Sequence, residues 1–144
     1  MSIAIGSDHA GYPLKSKLVE FLQHNNIEYK DMGTFNEDQV DYPDFAFKVA
    51  KAVSSGDSKL GVVVCGTGLG VSIMANKVRG VRAALCCSEY MAQMARAHNN
   101  ANVLSIPARF VSLQQALGFI EIFLNTKFEG GRHQTRVEKI PTKC

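Results

Sequence analysis

The sequence predicts a doubly wound α/β sandwich, in which a five-stranded parallel sheet lies between two layers of helices. Five short apolar runs alternate with helical patterns along the whole chain, which is typical of strands joined by crossover helices. The runs lack the apolar–polar alternation of half-exposed strands, and this favours parallel strands buried on both faces. Right-handed crossovers then predict the strand order 2-1-3-4-5 in a single domain over residues 1–144.

The predicted strands are five strand-like segments with helical patterns between them. The longest uninterrupted run ends on a cysteine and leads directly into a glycine-rich loop. In chain order the five runs are 2-SIAIG-6, 27-IEYKDMG-33, 60-LGVVVC-65, 81-VRAALCC-87 and 102-NVLSI-106.

The first two predicted helices begin at Pro13 and Pro43, because proline suits the first turn of a helix. After Pro13, apolar residues recur on one stripe at Leu14, Leu18 and Leu22. The other three helical patterns are 69-LGVSIMANK-77, 89-EYMAQMARAH-98 and 111-VSLQQALGFIEIFLN-125.

The composition is that of an ordinary globular protein, with 46% hydrophobic and 20% charged residues. The net charge of +3 gives no reason to expect a nucleic-acid partner. No apolar run approaches the roughly 18 residues that span a bilayer, and the first residues lack the pattern of a secretory signal. We therefore expect a cytoplasmic protein with free thiols, in which Cys86 and Cys87 serve core packing.

The position of a ligand site follows from the predicted strand order. In an open parallel sheet, ligands bind beyond the carboxyl ends of the strands where the strand order reverses, here between the first and third strands. The loops that leave these two strands are 6-GSDHAG-11 and 65-CGTGLG-70. They are nearly sixty residues apart in sequence, yet the fold predicts that they are neighbours, and both carry residues suited to chemistry.

The loop 65-CGTGLG-70 directs backbone N–H groups and a helix N-terminus toward the predicted site, which suits an oxyanion or a phosphate. Its glycine spacing differs from the dinucleotide-binding fingerprint, and no lysine follows it as in a P-loop. The alternative interpretation is a turn that needs glycine only for close packing of strand and helix.

Four polar residues of these two loops are candidates for catalysis. A helix N-terminus favours a thiolate at Cys65, which then acts as nucleophile or base; the alternative is a buried structural cysteine. Thr67 either hydrogen-bonds a ligand or caps the helix. Asp8 and His9 suit proton transfer or anion binding, or else Asp8 caps a helix and His9 is exposed.

His98 and Asn99 end the fourth helix, and a crossover helix runs back toward the amino ends of the strands. Both residues should therefore lie on the edge opposite the predicted site, where they most simply serve the site of a neighbouring subunit. The alternative is a polar helix C-terminus without a catalytic role.

Basic residues near the end of the chain suit a phosphate. Arg109 follows the fifth strand on the site-bearing edge, and Arg132 and Arg136 share one stripe if they are helical. The alternative is a solvated basic tail. The segment 130-GGRHQTRVEKIPTKC-144 is poor in apolar residues, so we expect it to lie on a surface of its own chain or of a partner.

Several motifs, in order along nearly the whole chain, resemble those of one family. The chain is similar to the type B ribose-5-phosphate isomerases and to the lactose-operon galactose-6-phosphate isomerase subunits that belong with them. The motifs are 5-IGSDHAG-11, 41-DYPD-44, 64-VCGTGLGVSI-73, 76-NK-77, 98-HNNANVL-104 and 130-GGRHQTRVE-138.

The resemblance implies a Rossmann-like αβα fold and a homodimer with shared active sites, with a tetramer as a possible higher assembly. It implies that residues 130–144 pack at the dimer interface. The implied reaction interconverts an aldose phosphate and a ketose phosphate, ribose 5-phosphate and ribulose 5-phosphate, through a cis-enediolate. It implies that no metal or organic cofactor takes part.

The resemblance also implies a role for each candidate residue. Cys65 is the base, Thr67 assists proton movement between oxygens, and Asp8 and the partner subunit's His98 open the sugar ring. The implied substrate contacts are the loop residues Gly66, Gly68, Leu69 and Gly70 at the enediolate, Tyr42 and Asn99 at the sugar, and His9, Arg109, Arg132 and Arg136 at the phosphate.

Three positions distinguish this sequence within the family. One branch places a glutamate base where this chain has Val71, so the chain resembles the cysteine branch. Asn100 stands where Asp is common, and 105-SIPAR-109 replaces a usual glycine-containing turn. The remaining alternatives are an isomerase for allose 6-phosphate or galactose 6-phosphate, a non-catalytic sugar-phosphate or nucleotide sensor, and a covalent cysteine enzyme.

Overall fold

The computed structural model describes residues 2–141, which form one parallel sheet with helices on both faces. The strands are β1 (Ile3–Ser7), β2 (Tyr29–Asp31), β3 (Leu60–Cys65), β4 (Ala83–Leu85) and β5 (Val103–Pro107). The helices are α1 (Tyr12–His24), α2 (Tyr42–Ser55), α3 (Leu69–Asn76), α4 (Glu89–Ala97), α5 (Leu113–Asn125) and α6 (Arg132–Lys139). None of these helices is long and apolar enough to cross a membrane.

The strand order is β2-β1-β3-β5-β4, so the predicted order 2-1-3-4-5 is wrong for the last two strands. β5 is buried along its whole length, whereas β4 has three residues that are all partly exposed. A central strand needs cover on both faces, while a short strand is tolerated at an edge. The more apolar strand therefore lies beside β3, and the α/β class and the parallel sheet are as predicted.

The boundaries of the elements follow local sequence signals. β3 has the predicted bounds, because Gly66 and the residues after it leave the sheet. The prolines Pro13 and Pro43 lie in the first turns of α1 and α2, one residue after each helix begins. The surface tail also contains a helix, α6, which follows two glycines with positive φ, Gly130 and Gly131.

The two faces of the sheet carry two separate hydrophobic cores. Helices α1, α4 and α5 cover one face, with Leu18 and Phe119 among the buried side chains. Helices α2 and α3 cover the other face, where Val49 and Val71 pack against the strands together with the side chain of Cys65. The arrangement is a three-layer αβα sandwich, and the Cys65 side chain points to the α2–α3 side.

A buried ion pair joins α1 to β2. Lys15 is fully buried, and its ammonium group pairs with the carboxylate of Asp31, which is 25% exposed. The same carboxylate accepts the Gly33 N–H at 2.9 Å, and the Lys15 ammonium lies 5.0 Å from the centre of the Phe35 ring. The pair therefore fixes the start of the long polar loop between β2 and α2.

We expect Asp31→Asn to lower the free energy of unfolding by about 3 kcal/mol, because it leaves the Lys15 ammonium buried without a counterion. Lys15→Met should cost less, since the remaining carboxylate reaches solvent. The exposed pair Lys17–Glu20 is the matched control, and Glu20→Gln should cost less than about 1 kcal/mol. Urea denaturation measures all three variants, and equal costs for Asp31→Asn and Glu20→Gln would contradict this account.

Candidate active site

A cavity of about 220 Å³ opens at the carboxyl ends of β1, β3 and β5. The structure brings the two candidate loops together there, and the Asp8 N–H donates to the Val64 carbonyl oxygen at 3.3 Å. The cavity is lined by Asp8, His9, Ala10, Tyr42, Cys65, Gly66, Thr67, Gly70 and Arg109. Six residues singled out in the sequence, the loop glycines aside, therefore line one small cavity: Asp8, His9, Tyr42, Cys65, Thr67 and Arg109.

Cys65 forms the floor of the cavity at the end of β3. Its side chain is buried, and the backbone N–H of Gly68 donates to Sγ at 3.1 Å. Helix α3 begins one residue later, at Leu69. A backbone N–H donor beside the start of α3 therefore faces the sulfur at the cavity.

The turn at Gly68 packs closely against residues of β4 and β5. Gly68 has a φ of +70°, and an added Cβ would lie 2.5 Å from Leu85 Cδ1 and 3.1 Å from the Pro107 nitrogen. The buried Ser105 hydroxyl donates to the Gly68 carbonyl oxygen at 2.6 Å. Sequence reasoning missed Ser105, although a serine in the middle of an apolar strand signals a buried hydrogen bond.

Arg109 places a positive charge against the glycine loop. Its backbone N–H donates to the Gly66 carbonyl oxygen at 2.9 Å, and its guanidinium covers Gly66, where an added Cβ would lie 2.9 Å from Nη1. The observed strand order makes this contact possible, because β5 pairs directly with β3, with Cys65 opposite Pro107. A guanidinium at this position suits a phosphate or a carboxylate.

Asp8 and His9 occupy the β1 side of the cavity with defined hydrogen bonds. An Asp8 carboxylate oxygen accepts the Gly11 N–H at 2.9 Å, which holds the loop before α1. His9 Nδ1 accepts the Val40 N–H at 3.1 Å. Because Nδ1 is the acceptor, the ring proton is assigned to Nε2, which leaves a donor for a ligand.

Tyr42 and Thr67 complete the rim of the cavity. The Tyr42 ring lies against Gly70, where an added Cβ would be 2.6 Å from Cε2. Thr67 is exposed, and its hydroxyl accepts the Leu69 N–H at 3.3 Å. The N-cap of α3 is Gly68, with no side-chain cap hydrogen bond, so the bond to Thr67 is a local turn contact, and the exposed threonine also lines the cavity.

The remaining candidate residues do not line this cavity. His98 follows α4 near the amino end of β5, on the opposite edge of the sheet from Cys65. Asn99 lines a separate cleft of about 960 Å³. Arg132 and Arg136 are exposed on α6. Within one chain, the structure therefore does not bring these four residues to the cysteine.

His98 belongs to a cluster with two residues that sequence reasoning did not single out. The His98 and His133 rings stack with centroids 4.0 Å apart and an interplanar angle of 11°. Glu129 Oε2 lies 3.6 Å from His98 Nε2 and 3.4 Å from His133 Nε2. Burial lowers the pKa of His133, His98 and Arg132 lower it further, and Glu129 opposes them.

This cluster is the group of potential metal ligands among the described residues, with all three donor atoms within 4.8 Å of one another. Its geometry does not fit a metal ion. Imidazole lone pairs lie in the ring plane, and metal–nitrogen bonds are only about 2.0–2.1 Å long. An ion bonded to both Nε2 atoms would lie far outside the planes of two parallel rings 4.0 Å apart.

The other described cysteines differ from Cys65. Cys86 is buried, and burial together with the neighbouring Cys87 raises its pKa to about 12. A thiol with such a pKa is not reactive at neutral pH, which agrees with the predicted packing role. Cys87 is exposed, so the packing role predicted for it is wrong. It lies beyond the last residue of β4, where the chain has left the core.

A model of the family described as "Ribose/Galactose Isomerase" matches residues 3–140. The chain belongs to the ribose/galactose isomerase family. It is 45% identical to "Ribose-5-phosphate isomerase B" of Escherichia coli, over 96% of this chain and 93% of the relative. It is also 45% identical to a "Putative sugar phosphate isomerase" of Bacillus subtilis, over 97% of this chain and 95% of that relative.

Two solved structures of ribose/galactose isomerases are similar to this chain along their whole length. Ribose-5-phosphate isomerase B of Clostridium thermocellum superposes with a TM-score of 0.98 at 52% identity and covers 99% of this chain and 97% of its own. Ribose-5-phosphate isomerase B of Mycoplasma genitalium, with bound ribulose-5-phosphate, superposes with a TM-score of 0.94 at 46% identity. The match covers 99% of this chain and 95% of the Mycoplasma chain.

In this ribose/galactose isomerase, the cavity combines three groups that sugar-phosphate chemistry requires. Cys65 supplies a thiol, the glycine loop after it supplies backbone N–H groups, and Arg109 supplies a cation that suits a phosphate. Asp8 and His9 add a carboxylate and an imidazole within the same walls. The arrangement is suited to moving a proton beside a carbonyl group.

Proposed function

We propose that this chain is an aldose–ketose isomerase that interconverts ribose 5-phosphate and ribulose 5-phosphate through a cis-enediolate, with Cys65 as the base. The observation that carries the proposal is the Cys65 thiol on the floor of a small cavity, 3.1 Å from a backbone N–H and beside the Arg109 guanidinium. Relatives at 45–52% identity are named ribose-5-phosphate isomerase B, and one of them has bound ribulose-5-phosphate.

Proton transfer is the central step of the reaction. The Cys65 thiolate removes the proton from C2 of the open-chain aldose, and the electron pair moves to O1 to form the enediolate. A proton passes from O2 to O1 with the help of Thr67, and the Cys65 thiol returns its proton to C1, which yields the ketose. Each backbone N–H of residues 66–70 that faces the oxyanion contributes about 3–4 kcal/mol to transition-state stabilisation.

The substrate enters as a closed ring, so ring opening precedes proton transfer. Asp8 acts on the ring from the cavity, and the partner subunit's His98 acts from the other side. Tyr42 and the partner's Asn99 contact the sugar. Asp8 lies in the cavity and is nearly buried, which supports a role in contact with the substrate.

The phosphate is held away from the reacting carbons. His9 donates from Nε2 and Arg109 donates from its guanidinium, both from the walls of the cavity. Arg132 and Arg136 of the partner subunit complete the cationic shell. Binding energy at this distant group orients the sugar over the thiol, which raises the rate of the chemical step.

A homodimer with shared sites accounts for the position of His98, which lies on the edge of the sheet opposite its own chain's cysteine. In this proposal residues 130–141, which contain α6, pack at the dimer interface and carry Arg132 and Arg136 to the partner's cavity, and the last three residues of the predicted segment, 142–144, lie outside the described residues. The exposed apolar side chains Leu69 and Ile73 at the start of α3 support an interface beside the cavity.

Assays of the purified protein with ribose 5-phosphate and allose 6-phosphate side by side test the proposal. We expect kcat/KM for the pentose phosphate to exceed that for the hexose phosphate by about 10- to 200-fold, the range that one extra carbon commonly produces. NMR of both sugars during turnover gives the two rates. A preference for allose 6-phosphate would overturn the pentose assignment, and conversion of neither sugar would overturn the proposed function.

A further inference from the structure

We propose that Glu129 is a positioning residue that holds the His98 imidazole for ring opening, and that His133 is the platform on which this imidazole stacks. The inference rests on the proposed function, because it gives His98 the role of opening the sugar ring. It concerns two residues that lie outside the cavity of their own chain.

The Glu129 carboxylate lies close to both the His98 ring and the His133 ring. Glu129 Oε2 lies 3.6 Å from His98 Nε2 and 3.4 Å from His133 Nε2, so a single oxygen faces the same nitrogen of each ring. Both distances exceed those of a hydrogen bond, and either contact is an ion pair only while its ring is protonated. Catalytic hydrogen bonds without substrate are often long and shorten in the complex.

The backbone brings three separate segments to this point. The Glu129 N–H donates to the Ala97 carbonyl oxygen at 3.0 Å, which ties the segment after α5 to the end of α4. Gly130 and Gly131 both have positive φ and turn the chain into α6, where His133 lies within the first turn. The Glu129 carboxylate is thereby held beside His98, which follows α4.

The stacked rings define the orientation of His98. His133 is buried, and its Nε2 has no hydrogen-bond partner within residues 2–141. Because His98 is only half-buried, with 35% of its side chain exposed, the flat His133 ring beneath it is the surface that limits its rotation. Burial, His98 and Arg132 lower the pKa of His133, which favours the uncharged form of the ring on which His98 stacks.

A carboxylate beside Nε2 has a defined chemical effect on an imidazole. It keeps the proton on Nε2 and leaves the lone pair of Nδ1 free to take a proton from a sugar hydroxyl and return it to the ring oxygen. Without the carboxylate, the ring samples both tautomers and more than one orientation. Ring opening should then become slow, while proton transfer at Cys65 should not change.

The test separates ring opening from proton transfer in the Glu129→Gln variant. Ribulose 5-phosphate is an open-chain ketose, and its C1 proton exchanges with deuterium from solvent when Cys65 removes a proton and returns a deuteron. This exchange needs no ring step. We expect Glu129→Gln to lower kcat/KM for ribose 5-phosphate by 10- to 100-fold and to leave C1 exchange within about threefold of the wild type.

The matched control is Glu121→Gln, which neutralises an exposed glutamate on α5 and should change neither rate. Imidazole ¹⁵N NMR without substrate adds a readout that does not depend on activity. We expect His98 to carry its proton on Nε2 in the wild type and to shift toward the Nδ1–H tautomer in Glu129→Gln.

If the wild type is active, two outcomes would overturn the positioning role of Glu129. One is a Glu129→Gln variant whose rates and His98 tautomer are unchanged. The other is an equal loss of exchange and turnover, which indicates general damage to the site. Failure of the proposed function is distinguishable, because the wild type itself would then neither exchange the C1 proton nor convert ribose 5-phosphate, whatever the tautomer of His98.

Discussion

The Cys65→Ala variant should bind ribulose 5-phosphate within a few fold of the wild type and should lose isomerisation, with kcat lower by about 10²- to 10⁴-fold. Removal of a positioned general base costs a factor of this size, and no other thiol lines the cavity among the described residues. Phosphate binding should persist, because the walls that carry His9 and Arg109 do not depend on the sulfur. Turnover assays and isothermal titration calorimetry measure the two quantities.

The control for Cys65→Ala is Cys87→Ala, which removes an exposed thiol that does not line the cavity and should keep full activity. Deuterium at C2 of ribose 5-phosphate gives a second measurement, since it should slow the wild type if removal of that hydrogen limits the rate. Normal turnover in Cys65→Ala would show that another group is the base.

Hybrid dimers of two inactive variants should regain activity. When Cys65→Ala and His98→Asn homodimers exchange subunits, each hybrid contains one site with an intact Cys65 from one chain and an intact His98 from the other. An equal mixture contains about half hybrids, each with one of two sites intact, so about a quarter of wild-type activity should return. Activity measured as a function of mixing time follows the exchange.

The necessary control mixes two differently tagged Cys65→Ala homodimers, which exchange subunits without creating an intact site. Co-purification through the two tags confirms that exchange has taken place. If hybrids form and activity stays at the level of this control, Cys65 and His98 do not act in the same site across the interface.

The number and type of the elements could be predicted because each depends on local signals. The uninterrupted apolar run 60–65 predicts a buried strand whatever strands lie beside it, and Pro13 and Pro43 predict helix starts. The positions of β4 and β5 depend on which strand covers more apolar surface beside β3. That comparison involves packing of α4 and α5 on the sheet, so alternation of strands and helices does not determine it.

The site was predictable where residues follow strands directly, as Asp8 follows β1 and Cys65 ends β3. The partners of these residues were not predictable, because their contacts join distant segments. Ser105 reaches Gly68 across 37 residues, and Val40 reaches His9 across 31. Glu129 carried no signal of its own, since a single exposed glutamate after a helix is ordinary until its neighbours are known.

The attachment of Arg109 to Gly66 has a consequence for which sugars the protein accepts. The Arg109 N–H donates to the carbonyl oxygen of Gly66, immediately after Cys65, at 2.9 Å, so the backbone that carries the cation is tied to the backbone that carries the sulfur. In the proposed reaction, Arg109 binds the phosphate and Cys65 meets the carbon beside the carbonyl group. The separation of these two residues therefore selects the length of the carbon chain between the phosphate and the carbonyl group. Each added carbon extends that skeleton by up to about 1.5 Å, enough to move the reactive hydrogen out of reach of the sulfur.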